Sequence, residues 1–352
     1  MDGETFRALS NSGSSSSPNT EKAQLIMVPL SVLDLVTVRE GSGVAEALTA
    51  SITAAQTAEA AGYQRYWIAE HHGMDGIAGG ATAVVISAIA NATKTIRVGS
   101  GGIMLPNHSP FIIAEQFGTL AALFPGRIDL GLGRAPGADG RIGQMLRKDL
   151  MRAAEQFPQD VVELRALLAG DATAPLAATP GSGAQVEMWI LGSSLFGASL
   201  AAALGLPYAF ASHFAPDQLD AALKLYRERF TPSNQLTQPH VMAAMAVVCA
   251  DTDEEAQFHA SSLEQSFVAL RSGTPGKLKP PIENYRATLP AQFQAMFAHL
   301  DQARAVGSPA TVRDSIERFA ARTGADEIVV AGALFDPAAH CRSLALTAAA
   351  FA

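Results

Sequence analysis

The sequence predicts a (β/α)8 barrel in which every parallel strand is followed by a helix. Two observations favour this fold class. Eight short apolar runs of strand length alternate with stretches of helical period, and several of these runs end in polar residues or glycine. Eight such units in about 320 residues also match the size of a closed barrel. A doubly wound open sheet is the alternative.

Strands are assigned to apolar runs bounded by turn residues, and helices to the periodic stretches between them. The predicted strands are 28–35, 65–70, 96–105, 127–133, 187–191, 208–211, 241–249 and 327–330. The predicted helices are 44–61, 81–93, 110–123, a long region from about Asp139 to Ala169, 195–204, 217–230, 253–270, 311–322 and 337–350. Residues 170–186 are expected to form a loop or hairpin.

Two segments fall outside this alternation. Residues 1–24 are rich in Ser, Asn, Gly and Thr, and we expect a disordered extension there, with one domain over residues 25–352. The segment 272–284 contains Pro275, Gly276 and the pair Pro280-Pro281. It is too long and too rich in Pro and Gly for a routine connection, which predicts a mobile lid.

Composition restricts the classes of partner. The chain has 25 Lys and Arg against 33 Asp and Glu, a formal net charge of −8, and no basic cluster, which argues against nucleic acid and anionic membrane. No signal peptide or apolar run of roughly 18 residues occurs. Cys249 and Cys341 lie far apart and are interpreted as reduced thiols rather than a disulfide. We therefore expect a soluble, cytoplasmic protein.

The second predicted strand ends in Glu70, His71 and His72. Adjacent histidines on an extended chain point to opposite faces, and neither Cys-x-x-Cys nor His-Glu-x-x-His occurs, so we predict no metal site. A single histidine at the rim suits a proton donor or a hydrogen-bond partner of a cofactor. A structural histidine that caps a loop is the alternative. His108 and His213 are further candidates, each better explained as structural.

Glycines and one arginine define a second group of candidates. Gly101 and Gly102 lie in a predicted core strand, where two bare backbone units let a flat ring lie against the chain. Gly131 and Gly133 have neither the spacing nor the position of a dinucleotide fingerprint. Strand alternation instead leaves space near the barrel axis and places Arg134 at the carboxyl rim, where a guanidinium suits a phosphate. A surface or ion-paired arginine is the alternative.

Gly192, Ser193 and Ser194 follow the fifth predicted strand and precede a helix. Backbone N–H groups at a helix N-terminus, together with flanking hydroxyl groups, form an anion site. An ordinary serine N-cap explains the same residues. Because Arg134 and Ser194 lie on consecutive rim loops, each strengthens the case for the other.

Together these motifs resemble the bacterial luciferase-like flavin monooxygenase family. The resemblance spans about residues 28–345 and is nearest to an uncharacterised bacterial subgroup with Gly-Arg-Ala-Pro-Gly after the fourth strand. The matching segments are 69–72, 98–106, 114–116, 125–134, 190–194, 205–207, 248–256 and 307–309.

The resemblance implies a barrel that uses reduced FMN and O2 to oxidise a small organic substrate, with the reduced FMN supplied by a separate flavin reductase. By position it makes Arg134 and Ser194 ligands of the FMN phosphate, with backbone donors from Gly192 and Ser193. It also implies a cis peptide at 101–102 against the isoalloxazine ring. His71 would be the catalytic histidine that stabilises or protonates the oxygenated flavin. A homodimer follows by analogy.

Two departures from the family pattern matter. Gly133 stands where luciferase proper has a cysteine, so light emission is not implied, and Ser193 stands at the position of the family's acidic residue near the phosphate. Some relatives use a deazaflavin, which would change the reaction to hydride transfer. A barrel that binds flavin without catalysis is a further alternative.

Overall fold

Eight parallel strands close into a barrel. The computed structural model describes residues 28–134, 140–146, 149–170 and 176–352, so the predicted extension 1–24 and the sequence after Arg134 up to residue 139 lie outside the described residues. The strands are β1 (Leu30–Asp34), β2 (Arg65–Ile68), β3 (Arg97–Met104), β4 (Ile128–Gly133), β5 (Glu187–Gly192), β6 (Tyr208–Phe210), β7 (Val241–Cys249), β8 (Arg304–Gly307) and β9 (Glu327–Ala331). Strands β1 to β7 pair in sequence, and β9 closes the ring between β7 and β1. The predicted (β/α)8 barrel is confirmed.

Helices surround the ring. The larger apolar cluster joins helical residues such as Ile86, Ile113 and Phe157 to outward-facing strand residues such as Val98 and Leu130. No helix within the described ranges is both long and apolar enough to cross a membrane. The helices are α1 (Val44–Ala60), α2 (Thr82–Ala92), α3 (Pro110–Leu123), α4 (Gly140–Met145), α5 (Leu150–Ala169), α6 (Leu195–Leu204), α7 (Leu219–Arg229), α8 (Asp253–Arg271), α9 (Ala291–Leu300), α10 (Pro309–Thr323) and α11 (Pro337–Ala349).

The region from about Asp139 to Ala169, predicted to be helical, is not one continuous helix. The described part of that region holds two helices, α4 and α5, separated near residue 149. The carboxylate of Asp149 accepts hydrogen bonds from the backbone N–H groups of Met151 and Arg152, each at 3.1 Å. Because an N-cap of this kind stabilises a new helix start, the chain begins α5 there instead of continuing α4.

The chain between α8 and α10 contains two elements that the sequence did not predict, α9 and β8. Strand β8 pairs with the second half of β7, from Ala246 opposite Arg304 to Cys249 opposite Gly307. Ala246 also pairs with Ala331 of β9. Ala246 therefore has β9 on one side and β8 on the other. Strand β6 pairs with β7 only as far as Ala243, and β8 lies beside β7 beyond the end of β6. A four-residue strand that begins with arginine is too short for periodicity to reveal.

The amino end of the barrel is closed by buried side chains. Trp67 and Trp189 fill the interior. Their rings pack edge to face, with the ring centroids 5.1 Å apart. Below them Asp129, which is fully buried, accepts hydrogen bonds from Trp67 Nε1 at 2.9 Å and Arg65 Nη1 at 2.8 Å. Arg65 also reaches Glu327 at the start of β9, at 3.2 Å. Because this end is filled, the carboxyl ends of the strands are left to form a cavity.

Candidate active site

A cavity of about 1070 Å³ opens at the carboxyl rim of the barrel. Its walls combine residues at strand ends with residues of α8, α9 and the segment 272–284. Among the predicted site residues, His71 and Gly101 line it, whereas Gly102, Arg134 and residues 192–194 are outside its lining. Most of the lining side chains are apolar, which is usual for a site that holds an organic ligand. Examples are Leu33, Trp67, Met74, Leu191, Phe214, Leu263, Phe267, Leu270, Phe297 and Leu300.

His71 follows β2 and forms part of the cavity wall. Its Nδ1 is enclosed by protein and has no hydrogen-bond partner. Its Nε2 also makes no hydrogen bond within the described part of the chain, but this atom is accessible rather than enclosed. Burial lowers the pKa of His71 below its ordinary value, which outweighs the opposite effect of Glu70. The imidazole is therefore neutral near pH 7 and has one nitrogen available to a ligand.

Glu70 holds two other histidines beside the cavity. It is 1% exposed, and its Oε1 lies 2.6 Å from Nε2 of His72 and 2.7 Å from Nε2 of His108. Its Oε2 accepts a hydrogen bond from the backbone N–H of Met104 at 3.0 Å. Burial alone would raise the pKa of Glu70, but the hydrogen bonds from His108 and His72 outweigh it and lower the pKa to about 2. The hydrogen bond to Glu70 raises the pKa of His72.

This cluster ties the end of β2 to the end of β3, a role that the sequence did not reveal. The three side chains bring their ligand atoms within 4.8 Å of one another, close enough in principle for a metal ion. However, the two N···O separations at Glu70 Oε1 are hydrogen-bond lengths, so protons hold the imidazoles to the carboxylate. That the site holds no metal stays a prediction.

The peptide bond between Gly101 and Gly102 is cis, at the position that the resemblance implied. The pairing of β3 with β4 shifts its register between Ser100 and Ile103, around this pair. A Cβ atom on Gly101 would lie 2.5 Å from a methyl carbon of Leu33, and one on Gly102 would lie 2.7 Å from the carbonyl oxygen of Gly131. Gly102 therefore requires glycine, because the backbone of Gly131 stands in the way, whereas a side chain at position 101 would have to displace Leu33. Gly101 presents bare backbone to the cavity.

Arg134 and the loop after β5 meet at the N-terminus of α6. The guanidinium carbon of Arg134 lies 4.0 Å from the centroid of the Phe196 ring, in the first turn of this helix. Ser194 is the N-cap residue by backbone position, yet its side chain makes no capping hydrogen bond. The backbone N–H of Leu195 donates to Gln218 at 3.2 Å. The structure thus brings Arg134 close to the predicted anion loop, next to Leu191 in the cavity wall.

His213, which the sequence analysis explained better as structural, also lines the cavity. Its Nδ1 is enclosed without a hydrogen-bond partner. Burial lowers its pKa to about 4, so the imidazole is neutral at physiological pH. No local pattern around residue 213 signals this burial, because it arises from elements distant in sequence.

The segment 272–284 covers one side of the cavity through Gly273, Pro275, Gly276 and Leu278. Leu278 is 2% exposed and is joined to the β1–α1 loop by two backbone hydrogen bonds. Its N–H donates to Val38 at 2.9 Å, and its carbonyl accepts from Glu40 at 2.8 Å. The segment is therefore placed as a lid would be, and its mobility stays a prediction.

Known proteins match most of this chain. Residues 28–327 match the model of the luciferase-like monooxygenase family. A luciferase-like monooxygenase of Escherichia coli K12 is 47% identical over 320 residues, which cover 91% of this chain and 96% of that protein. YvbT of Bacillus subtilis is 48% identical over 321 residues, which cover 91% and 95%. The N-acetyl-S-alkylcysteine monooxygenase of Bacillus subtilis is 36% identical over 254 residues, which cover 70% and 75%.

Solved structures share the same barrel. Apo-MsnO8 superimposes with a TM-score of 0.83 at 34% identity and covers 92% of this chain and 98% of its own. The oxygenating constituent of 3,6-diketocamphane monooxygenase from Pseudomonas putida, solved with FMN, has a TM-score of 0.67 at 19% identity, with coverage of 91% and 97%. The coenzyme F420-dependent tetrahydromethanopterin reductase of Methanopyrus kandleri has a TM-score of 0.60 at 15% identity, with coverage of 91% and 97%. The last two show a shared fold alone.

Proposed function

The chain belongs to the luciferase-like monooxygenase family, and from this we propose that it is an FMN-dependent monooxygenase that oxidises a small organic substrate with O2. One observation carries the proposal. A large apolar cavity at the carboxyl rim has the cis Gly101–Gly102 peptide and the neutral His71 in or beside its wall. Bare backbone for a flat ring and a proton-transferring group are therefore available at one place.

The volume of the cavity supports the proposal of a flavin ligand. Ligand cavities usually enclose about 300–1000 Å³, so about 1070 Å³ can hold a tricyclic ring together with a substrate. Gly101 supplies backbone without a side chain. The apolar walls exclude water, which strengthens each polar contact that a ligand makes.

Arg134 and the N-terminus of α6 would hold the FMN phosphate. A guanidinium donates two parallel hydrogen bonds to phosphate oxygens, and a helix N-terminus adds free N–H groups and a favourable dipole. Ser193 and Ser194 would add hydroxyl donors, and Gly192 would let the backbone approach closely. The contact of Arg134 with Phe196 supports this assignment, because it keeps the guanidinium at the helix end.

His71 would manage the proton in the reaction. Reduced FMN, when bound, supplies the electrons that activate O2. The available Nε2 of a neutral imidazole can accept or donate a hydrogen bond beside the ring, and the lowered pKa keeps His71 from adding a positive charge to the cavity. We expect a separate flavin reductase to deliver the reduced cofactor, because the glycines around Gly131 do not form a dinucleotide fingerprint. A homodimer is also expected.

Titration of the protein with FMN, riboflavin and coenzyme F420 tests the cofactor. FMN should bind with one site per chain, and Arg134→Gln should weaken FMN about tenfold or more but leave riboflavin unchanged, because riboflavin has no phosphate. Arg318→Gln, which removes an exposed arginine of α10, is the matched control. Selective binding of F420 would instead favour a hydride-transfer enzyme.

The role of His71 is tested with reduced FMN and O2. His71→Ala should keep FMN affinity but divert oxygen to free hydrogen peroxide. Peroxide release and product formation are measured with two candidate substrates, an N-acetyl-S-alkylcysteine and an aliphatic aldehyde. Tight FMN binding without oxygen-dependent turnover in the unmodified protein would favour a non-catalytic flavin-binding barrel. Unchanged product yield in the variant would remove His71 from the mechanism.

A further inference from the structure

Two arginines and two carboxylates form a cluster in the wall of the cavity, on the side of α8 and β8. We call Glu264, Arg286, Asp301 and Arg304 the Arg304 cluster. Arg286 donates from Nε to Glu264 at 2.7 Å and from both terminal nitrogens to Asp301 at 2.8 Å. Arg304 donates from Nη2 to Glu264 Oε1 at 3.0 Å. The formal charge of the cluster is zero, since two guanidinium groups face two carboxylates.

Glu264 and Arg304 each have hydrogen-bonding capacity to spare. Both line the cavity, and their side chains are 3% and 7% exposed. Glu264 uses only Oε1 for both arginines, and Arg304 uses only Nη2. The Nε of Arg304 is enclosed and makes no hydrogen bond. Within the described residues Oε2 of Glu264 and Nη1 of Arg304 also lack partners, but neither atom is enclosed. A donor and an acceptor thus remain unused on two side chains that are hydrogen-bonded to each other.

The surroundings of this pair are apolar. Leu263, Phe267, Phe297 and Leu300 line the same cavity, and the guanidinium carbon of Arg304 lies 5.8 Å from the centroid of the Phe297 ring. The centroid of the Phe267 ring lies 5.8 Å from that of Phe214 and 6.2 Å from that of Phe297. Polar groups buried among apolar walls discriminate strongly between ligands. A ligand that displaces their water without forming hydrogen bonds in its place binds weakly.

We propose that the Arg304 cluster binds the polar head of an otherwise apolar substrate, and that this head is neutral with an acceptor and a donor, as in a carboxamide. Its carbonyl oxygen accepts from Arg304 Nη1, and its N–H donates to Glu264 Oε2. A carboxylate head would be repelled by the negative charge of Glu264, and an ammonium head would be repelled by the positive charge of Arg304. The idea that the bound molecule is oxidised rests on the proposed function, whereas the recognition itself does not.

Calorimetric titration of the protein without flavin tests the head-group preference. The probes are octanamide, octanoate and octylammonium, which share one chain length. We expect octanamide to bind on the order of tenfold to a hundredfold more tightly than either charged probe, the value of one or two hydrogen bonds to charged groups. The proposal would be overturned if octanoate bound most tightly, if the three affinities were equal, or if octanamide did not bind. Each of these outcomes can be observed with the unmodified protein.

Two charge variants test the cluster itself. Glu264→Gln gives the cluster a net positive charge and should move the preference toward octanoate. Arg304→Gln gives it a net negative charge and should move the preference toward octylammonium. Glu228→Gln and Arg318→Gln remove the same charges at exposed positions and should leave the ranking unchanged. A ranking that stays the same in the cluster variants would place the recognition elsewhere.

A parallel FMN titration separates this proposal from the proposed function. FMN binding without a preference for octanamide would reject the head-group proposal alone. A preference for octanamide without FMN binding would reject the proposed cofactor alone.

Discussion

Replacing His213 by glutamine should make the protein less sensitive to mild acid. Burial in the cavity wall lowers the pKa of His213 from its ordinary value of 6.5 to about 4. Below pH 6.5 the unfolded chain therefore binds a proton that folded His213 does not accept until the pH approaches 4. The free energy of unfolding falls as the pH drops through this window. Glutamine does not titrate, so the variant lacks this contribution.

The size of the effect follows from the two pKa values. Between about pH 7.5 and about pH 5, proton linkage at one such group removes about 2 kcal/mol from the free energy of unfolding. Urea unfolding of both proteins at the two pH values measures the loss for each. The loss in the parent protein should exceed that in His213→Gln by about 2 kcal/mol. Between about pH 7.5 and about pH 8.5, the change in the free energy of unfolding should be the same for both proteins. Equal losses between about pH 7.5 and about pH 5 would refute the reasoning.

Two further substitutions test the hydrogen bonds of Glu70 and the packing of α3. Glu70→Gln should lower the free energy of unfolding near pH 7 by about 3 kcal/mol, the linkage value for a pKa lowered from 4.5 to about 2. This stability is present above pH 4.5 and is lost as the pH falls toward 2, and a urea-unfolding difference under about 1 kcal/mol would contradict it. Gly118→Ala should lower the melting temperature by several degrees, because its Cβ would lie 2.2 Å from the Cα of Gly181. Gly276→Ala has no atom within 4 Å of the new Cβ and is the control, so equal melting temperatures would contradict this expectation.

The sequence predicted the parts of the fold that leave a local signal. Apolar runs such as Val241–Cys249 mark the barrel strands, and the cis peptide at Gly101 lies where the resemblance placed it. Strand β8 escaped because its position depends on pairing with β7, which no local pattern encodes. For the same reason the enclosed Nδ1 of His213 and the hydrogen bond between His108 and Glu70 appear only once distant elements are brought together.

The ion pair between Arg65 and Glu327 has a consequence for the order of folding. It joins residues 262 positions apart, and β9 must pair with both β1 and β7 to complete the ring. Contacts of such long sequence separation carry the largest loop-closure entropy and form late. Without β9, strands β1 to β7 would form an open sheet with unpaired edges at β1 and β7. The ring can close only when β9 is available, so both edges stay unpaired until the chain has been made as far as Ala331.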